Sequence, residues 1–397
     1  MIKIKKSVTL ILLILFCLLL SGCWSKRELN ELAIVLAFGV DKIDDEYQIS
    51  VQIVNPSETS NKLQSSTGRS PVVTFISKGE SILDAVKNLS TVTPRKAYFA
   101  HLQIVVIGEE LANEGIKNIL DLLARNNEVR DDFSIIIGRN AYAKDILTVL
   151  TPIEKIPAYK LIHSLKVSEK DLGSSLSVNL NDLMSSLESD AKSSVLSVIE
   201  IKGDTKLGKD KKNVEMIETP ALLQYTGLAL IKEYKLIGFL AKKESKSLNY
   251  LKNNINSTVE IISCPKKGDL TTVISNVITK TNGKIKEGKP TITVHIDVEQ
   301  KVGEVNCEVN LTDEKTLQMI NNKTANLIEF KLNEVLNLIQ NDYQIDVLEY
   351  SEVLHRADPE EWKKLKNQWT KLFPELEVNI KIDVKTIGFG TIQNWEN

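Results

Sequence analysis

Cys23 is the residue whose chemical type and sequence setting most directly specify a reaction. Its thiol follows Leu20, Ser21 and Gly22, and small residues before a cysteine are the pattern of the bacterial lipobox. In lipobox chemistry the thiol takes a diacylglyceryl thioether, a peptidase cuts the bond before the cysteine, and the modified cysteine becomes the mature N-terminus. Two acyl chains give stable membrane attachment, since each buried methylene group contributes about 0.8 kcal/mol. The pattern predicts lipidation at Cys23 and an ectodomain tethered outside the cytoplasm.

The residues before Cys23 have the layout of a secretory signal. Lys3, Lys5 and Lys6 form a positive region, and residues 8–20 are almost entirely apolar. An apolar run of this length is short for a spanning helix, which needs about 20 residues. We therefore expect residues 1–22 to be a lipoprotein signal peptide, with a plain membrane-anchoring signal as the alternative.

Charge and length narrow the class of protein. The chain has 397 residues, with 50 basic side chains against 52 acidic ones. Removal of residues 1–22 takes away three lysines and no acid, which leaves 47 basic residues against 52 acidic ones over 375 residues. This excess of acid argues against a nucleic-acid partner, which requires a concentrated basic face. The length is too great for one core and suits two or three domains.

Cysteine usage leaves one question open. Cys17 leaves with the signal and Cys23 carries lipid, so only Cys264 and Cys307 remain of the four cysteines. They fall in neighbouring strand-like segments, and an exported protein permits a disulfide between them. Two separate buried thiols are the alternative, because a free cysteine packs as a small apolar residue.

The sequence contains no recognisable pattern for catalysis or metal binding. It has no G-x-S-x-G nucleophile elbow, and Gly-Phe-Gly at 388–390 lacks the third glycine and following helix of a dinucleotide loop. The acid pairs at 44–45 and 131–132 fall in turns, where solvated carboxylates are the ordinary state. We predict no catalytic, cofactor or metal site; catalytic groups that are distant in sequence leave no local pattern. We assign no second metal ligand at helical spacing to any of the four histidines, which are scattered along the chain. They are His101, His163, His295 and His355.

Strands alternate with helices through the first part of the mature chain, which predicts a mixed α/β domain over residues 23–165. Apolar runs and alternating patterns mark the strands, and polar turns separate them. The expected strands are 32–40, 47–54, 72–77, 102–107 and 133–138, and the expected helices are 81–90, 116–125 and one that opens near Glu109.

Two further domains are expected after residue 165. Residues 166–255 have the pattern of a small strand-rich middle domain, with one hairpin formed by 195–201 and 214–217 and another that turns at 233–235. The predicted fold class is α+β or mixed α/β and multi-domain, with a C-terminal antiparallel sheet packed by long helices. The C-terminal α/β domain, 256–397, is expected to contain a meander of strands 257–263, 270–279, 291–299 and 304–311, a helix over 313–341, a second helix and a final strand 376–387.

The second helix of the C-terminal domain has clear start and packing signals. Asp358 is a candidate N-cap, Pro359 suits the first helical position, and Glu361 lies where it can complete a capping box. Trp362 and Trp369 share one face of this helix, so we predict that both are core residues.

The residues that follow the lipobox resemble the start of the Ger(x)C family, the lipoprotein C subunits of bacterial spore germinant receptors. That family typically begins with Cys-Trp, a charged pair, Glu-Leu, and an apolar strand ending in Gly-hydrophobic-Asp. The similarity continues in "PRKAYFAHLQIVVIGEELANEGI", in "GLALIKEYKLIGFL" and in residues 355–374. One departure is at 348–350, where Leu-Glu-Tyr replaces the glycine-containing turn that relatives often carry. The matching residues are Cys23, Trp24, Lys26, Arg27, Glu28, Leu29, Gly39, Val40 and Asp41.

This resemblance implies a three-part α/β lipoprotein on the outer face of the spore inner membrane. It also implies assembly with two integral membrane subunits, one of them transporter-like, into a nutrient-sensing receptor. No catalysis is implied. Whether this subunit binds the nutrient directly stays open.

Two short segments are candidates for contact with the membrane or with partner subunits. Trp24, Arg27 and Glu28 lie close to the predicted lipid, where tryptophan suits the interface and charges can meet head groups or subunits; a plain spacer is the alternative. The turn "PRKAYFAH" adds the second set, Arg95, Lys96 and Tyr98, with packing of Tyr98 and Phe99 under a strand as its alternative.

Two other classes of protein compete with the receptor subunit. A lipid-anchored protein that binds a solute for a transporter would usually have two α/β lobes, whereas this chain ends in a meander and helices. A cleft with convergent polar groups would favour solute binding. A paired acid or metal site in such a cleft would favour a tethered cell-wall hydrolase.

Overall fold

The computed structural model describes residues 29–59 and 70–389, which form a mixed α+β fold built on two sheets. The predicted signal peptide and the residues Cys23, Trp24, Arg27 and Glu28 lie outside the described residues. A 3₁₀ turn at Leu29–Glu31 leads directly into the first strand.

The larger sheet has nine strands in the order β3-β2-β1-β5-β6-β7-β8-β9, and β4 pairs with β1 beside this path. Neighbours from β1 through β5 and β6 to β7 run parallel, and antiparallel pairs flank them on both sides. β5 and β6 are buried at every position, as expected for parallel strands covered on both faces. The strands are β1 (Leu32–Ile43), β2 (Glu46–Val54), β3 (Val72–Gly79), β4 (Lys96–Tyr98), β5 (Ile104–Gly108), β6 (Ser134–Gly138), β7 (Ser193–Gly203), β8 (Ala221–Lys232) and β9 (Lys235–Ala241).

Helices cover both faces of the large sheet. The residues buried on one face come from α2, α3, α4 and α7, and those on the opposite face from α5 and α6. The helices are α1 (Pro56–Thr59), α2 (Ile82–Asn88), α3 (Glu109–Glu114), α4 (Lys117–Arg125), α5 (Ala143–Thr148), α6 (Pro157–Leu172), α7 (Leu180–Glu188), α8 (Thr205–Gly208), α9 (Lys212–Glu215) and α10 (Lys242–Leu251).

The second sheet has four strands in the order β10-β11-β12-β13 and carries the C-terminal helices on one face. α11 buries Ile320, Thr324, Ile328 and Leu332 on the sheet side. Trp362 and Trp369 are core residues as predicted, with ring centroids 5.1 Å apart. The elements are β10 (Thr258–Ser263), β11 (Asp269–Lys286), β12 (Lys289–Val305), β13 (Glu377–Gly388), α11 (Glu314–Asn337) with a π-helical turn Leu338–Asp342, α12 (Tyr350–Ala357), α13 (Pro359–Leu365) and α14 (Trp369–Leu372).

Several predicted elements differ in the structure. Residues 214–217 do not form a strand: Lys212–Glu215 is helix α9, and β7 pairs with β8 instead. The predicted strand 304–311 is absent, because β12 ends at Val305 after a long hairpin with β11. The last strand runs parallel to β12, so the C-terminal sheet is mixed and not wholly antiparallel.

The strands assigned to a separate middle domain, β7 to β9, continue the sheet that begins with β1. The boundary placed after residue 165 falls inside α6 and does not separate two sheets. The division into 23–165, 166–255 and 256–397 stays a prediction. Of the two alternatives for the remaining cysteines, the structure has the disulfide: Cys264 and Cys307 are bonded, with Cα atoms 6.4 Å apart.

Residues 343–349, between the π-helical turn and α12, contact the large sheet. Asp346 is buried there, and its carboxylate accepts hydrogen bonds from the backbone N–H groups of Tyr350 and Ser351, both at 2.9 Å, and from the Trp369 indole at 3.1 Å. Its backbone carbonyl accepts a bond of 2.6 Å from the hydroxyl of Ser193 at the start of β7. Burial raises the pKa of the Asp346 carboxyl, and these donors act in the opposite direction.

Glu349 occupies the position where the resemblance led us to expect a glycine-containing turn. Its backbone is left-handed, with φ 57° and ψ 36°, and it directly precedes α12. Its carboxylate accepts a 2.7 Å hydrogen bond from Ser186. The left-handed region costs a residue with a Cβ atom about 1 kcal/mol, and a glycine avoids this cost.

We predict that Glu349→Gly is more stable than Glu349→Ala by about 1 kcal/mol in the free energy of unfolding. Both variants lose the bond from Ser186, but only alanine keeps a Cβ atom on the left-handed backbone. Urea unfolding followed by circular dichroism measures the difference. Equal stability of the two variants would contradict this account of the turn.

Candidate functional site

The segment "PRKAYFAH" lies beside the first described residues of the chain. β4 pairs in parallel with the start of β1, in the register Leu32 with Lys96 and Ile34 with Tyr98. Leu29 is six residues after Cys23, and six residues span at most about 20 Å when fully extended. The predicted contact residues Arg95, Lys96 and Tyr98 are thus held close to the predicted anchor. We call this region the anchor-proximal surface.

The side chains of the anchor-proximal surface divide into exposed and packed groups. Arg95 and Lys96 are exposed, and Lys96 forms a 2.8 Å ion pair with Glu128. Tyr98 is half-buried with its ring edge-on to His101. Phe99 is buried against Phe38, so the alternative in which this segment packs under a strand holds for Phe99.

Hydrogen bonds fix the backbone that presents these side chains. The hydroxyl of Thr93 lies 2.9 Å from the carbonyl oxygen of Leu89 and 3.0 Å from that of Arg95. Thr93 is buried, while its neighbour Val92 is 48% exposed at the end of the 3₁₀ turn Leu89–Thr91. A rigid turn therefore displays an apolar side chain next to cations.

A cleft of about 680 Å³ opens beside this turn. It lies between the turn before β1, the end of α2 and the segment before β4. Among its described lining residues, three side chains are basic and one is acidic: Lys87, Arg95, Lys96 and Glu31. Such a cleft attracts anionic groups.

A second cavity, of about 490 Å³, lies at the carboxyl ends of the parallel strands β1, β5 and β6. Ligands of open α/β sheets commonly bind at such an edge. Its lining carries four carboxylates, from Asp41, Glu109, Glu110 and Asp145. Three of these already have partners in backbone or lysine: Glu109 accepts from the backbone N–H of Asn140 at 2.9 Å, Asp145 pairs with Lys209, and Asp41 accepts two backbone N–H groups.

Asp41 is the buried acid of this cavity, and its role in the structure is to cap a helix. Its two carboxylate oxygens accept from the backbone N–H groups of Ala143 at 2.7 Å and Lys144 at 3.2 Å, at the start of α5. A Cβ atom at residue 108 would lie 2.3 Å from the Asp41 carboxylate, so the neighbouring strand needs Gly108. Burial raises the pKa of Asp41 to about 6. Sequence reasoning missed this contact because its partners are 102 and 103 residues away.

The predicted isolation of the histidines is wrong at two places. His295 and Asp297 alternate on β12, and the histidine Nε2 lies 3.1 Å from Asp297 and 3.2 Å from Asp383 on β13. Glu352 and His355 are one helical turn apart on α12, near Asp190. The spacing of His295 and Asp297, two residues apart on a strand, is the signal that a pattern based on helical spacing does not include.

These two groups behave as surface ion networks. A lysine already engages the first, since the Lys381 amine lies 3.2 Å from the Asp383 carboxylate. In the second, Asp190 accepts a 2.8 Å hydrogen bond from the Trp362 indole. The acid pairs in turns are likewise solvated or paired, with Asp132 held 3.0 Å from Arg130.

Comparison with known proteins adds what the geometry alone does not supply. The family model described as "Spore germination protein N-terminal domain" matches residues 25–201, and the family model described as "Spore germination B3/ GerAC like, C-terminal" matches residues 226–390. Spore germination protein KC of Bacillus subtilis (strain 168) is 31% identical over 387 residues, which cover 96% of this chain and 95% of that protein. The chain belongs to the spore germination B3/GerAC-like family. The resemblance drawn from the sequence is thereby confirmed.

Another member of the GerAC-like family and a solved structure also match this chain over most of its length. Spore germination protein B3 of Bacillus subtilis (strain 168) is 26% identical over 397 residues, with 98% of each chain covered. The crystal structure of the GerBC protein superposes with a TM-score of 0.56 at 20% identity, over 88% of this chain and 96% of that chain. At this identity the superposition supports the fold alone. Within residues 29–59 and 70–389, no helix has both the length and the apolar character needed to cross a membrane.

The raised pKa of Asp41 gives this GerAC-like chain a pH dependence of known sign. The folded-state pKa of about 6 exceeds the ordinary value of 3.8, so the folded state holds its proton more tightly than the unfolded state. Asp41 then lowers stability as pH rises from about 4 to about 6.

In the wild-type chain, Asp41 should lower the unfolding free energy by about 2 kcal/mol between pH 4.5 and pH 7. We predict that Asp41→Asn abolishes this part of the pH dependence. Asparagine keeps one acceptor for the two N–H groups, so a pH-independent cost of about 1 kcal/mol accompanies the change. Urea unfolding at both pH values measures the slope, with Asp45→Asn in the exposed turn after β1 as the matched control. A slope unchanged by Asp41→Asn would contradict the assignment.

Proposed function

We propose that this chain is a non-enzymatic, lipid-anchored subunit of a spore germinant (nutrient) receptor, and that it acts through protein–protein contacts at the membrane. Its place in the GerAC-like family supports the link to spore germination. The family match over nearly the whole chain is the observation that carries this proposal, since it includes both the fold and the segment next to Cys23.

Lipidation at Cys23 would attach the chain to the outer face of the spore inner membrane. The lipobox pattern supports this, and so does the short stretch between Cys23 and the first described turn. In this arrangement the anchor-proximal surface lies within reach of membrane subunits. The proposed partners are two integral membrane receptor subunits, one of them transporter-like.

The contact residues that we propose are Trp24, Arg27 and Glu28 on the tether, with Arg95, Lys96 and Tyr98 on the folded body. Tyr98 is the best placed to touch protein, because a half-buried aromatic ring offers a large contact area at little cost in side-chain freedom. The hydrogen-bonded turn at Thr93 and the strand pairing of β4 hold these residues in place before a partner arrives.

The absence of catalysis is supported by how the acids are used. The described residue that most resembles a catalytic acid is Asp41, whose pKa is near 6, but both its oxygens are committed to backbone N–H groups. These bonds hold the carboxylate against the start of α5, and this structural role supports a non-catalytic assignment.

One observation favours the alternative of a solute-binding lipoprotein that serves a transporter. The cavity at the carboxyl ends of β1, β5 and β6 has the size and position of a ligand site. Its acids would suit a small cationic solute, and direct nutrient binding by this subunit would use it.

The anchor is tested by Cys23→Ala in the full chain expressed in sporulating cells. We expect loss of the diacylglyceryl mass from the N-terminal peptide and loss of the protein from the membrane fraction. Cys17→Ala is the matched control, since this cysteine lies in the apolar run and outside the lipobox. A membrane fraction unchanged by Cys23→Ala would refute lipidation as the means of attachment.

The partners are tested by co-purification of the C-terminally tagged lipoprotein from detergent-solubilised spore membranes. We expect two integral membrane proteins, one transporter-like, and a several-fold lower recovery of both with Tyr98→Ala. Tyr142→Ala, at the acidic cavity, is the control and should leave recovery unchanged. A solitary lipoprotein, or one that carries an ABC-type permease, would favour the solute-binding alternative.

A further inference from the structure

The cleft of the anchor-proximal surface lies where membrane head groups can reach it. Its walls include Asn30 and Glu31, which immediately precede β1, and the last turn of α2. From Cys23 to Leu29 the chain spans at most about 20 Å. A diacylglyceryl group at Cys23 places the first residues of the tether at the head groups, so the tether length keeps the cleft close to them.

The charge of this cleft is opposite to that of the protein as a whole. The mature chain has more acids than bases, yet the described residues that line the cleft carry three cations and one acid. Lys96 is already paired with Glu128, so the attraction for an anion comes mainly from Lys87 and Arg95. Lys87 and Arg95 are exposed at its rim, and the hydroxyl of Ser90 lies between them in sequence. Guanidinium and ammonium groups with a nearby hydroxyl are the donors that bind phosphate oxygens.

An exposed apolar side chain lies close in sequence to these cations, three residues before Arg95. Val92 is 48% exposed on the turn whose backbone Thr93 fixes. Cations that meet head-group phosphates, with an adjacent apolar residue that enters the acyl boundary, are the pattern of surfaces that lie on membranes. The acidic cavity at the ends of β1, β5 and β6 lacks this pattern, because its lining would repel phosphate.

We infer that the cleft lined by Lys87, Arg95 and Lys96 binds the phosphate head groups of anionic phospholipids in the membrane that carries the chain. This inference rests on the lipid anchor proposed above. Its consequence is orientation: the anchor fixes only the distance from the bilayer, whereas a head-group site fixes which face of the protein meets it.

The test uses the intact lipoprotein, purified in detergent and reconstituted into nanodiscs of phosphatidylcholine alone or with one quarter phosphatidylglycerol. Acylation of each lysine by an amine-reactive ester is followed over time by mass spectrometry. We expect labelling of Lys87 to slow about fivefold in the anionic discs, the effect of one basic residue at an anionic surface. Lys267, exposed in the turn between β10 and β11, is the internal control and should label equally in both.

A charge reversal tests whether the slower labelling of Lys87, which we call its protection, arises from this cleft. Arg95→Glu should restore the labelling rate of Lys87 in anionic discs to that in phosphatidylcholine discs. Arg130→Glu, an exposed arginine outside the cleft, is the matched control and should leave the protection intact. Sodium chloride at high concentration should abolish the protection, since charge contacts at a membrane surface are screened.

The outcomes separate this inference from the anchor on which it rests. If the protein does not stay with the discs, or its N-terminal peptide lacks the lipid mass, the proposed anchor is wrong. If the protein is anchored but Lys87 labels at the same rate in both kinds of disc, the head-group site is wrong and the anchor stands. Protection that survives Arg95→Glu would also overturn the site.

Discussion

Asp346 is the residue at which hydrogen bonds of the C-terminal helices and of the large sheet meet. It receives donors from the start of α12 and from Trp369 in the C-terminal helices, while its backbone carbonyl receives the hydroxyl of Ser193 from the large sheet. Removal of a charge from water is costly unless hydrogen bonds replace the lost hydration. The three donors to this carboxylate hold the start of α12 against Trp369. The bond from Ser193 then attaches the same segment to the first residue of β7.

Lys252 extends this constraint to the helix that follows β9. Its amine donates to the backbone carbonyl of Val347 at 2.9 Å, and burial lowers its pKa while nearby Asp346 and Glu349 raise it. Gly238 on β9 lets the ring of Tyr343 approach so closely that a Cβ atom there would lie 2.2 Å from the ring. These contacts attach residues 343–347 to β9 and to the end of α10.

The sequence predicted those elements whose signals are local. The buried strands β1, β5 and β6 contain continuous apolar runs, and Asp358 caps α13 as its position predicted. Both tryptophans are buried as predicted, although a 3₁₀ turn at Lys366–Gln368 divides the expected helix, so that Trp362 lies on α13 and Trp369 on α14. Sheet membership is not local, which is why β7 to β9 were assigned to a separate domain although they extend the first sheet. The hydrophobic pair Val214 and Met216 suggested a strand, yet both lie exposed around the short helix α9. The cap that Asp41 provides and the His295 network depend on residues far apart in sequence, which no pattern within one segment reveals.

The acidic cavity and the basic cleft suit different ligands, a cationic solute and an anionic head group respectively. The cavity at the carboxyl ends of β1, β5 and β6 is acidic and includes a buried carboxylate, whereas the cleft next to the start of β1 is basic. β1 contributes to both, since its first residues pair with β4 beside the basic cleft and Asp41 near its end lines the acidic cavity. Leu32, which pairs with Lys96 beside the basic cleft, and Asp41 in the acidic cavity are nine residues apart on β1, or about 30 Å at 3.3 Å per residue. An anionic membrane attracts the basic end and repels the acidic one, so charge and tether favour the same orientation. If the anchor and the head-group site proposed above hold, the acidic cavity faces away from the bilayer and is open to small cationic solutes, and the basic end is the one within reach of the proposed membrane subunits.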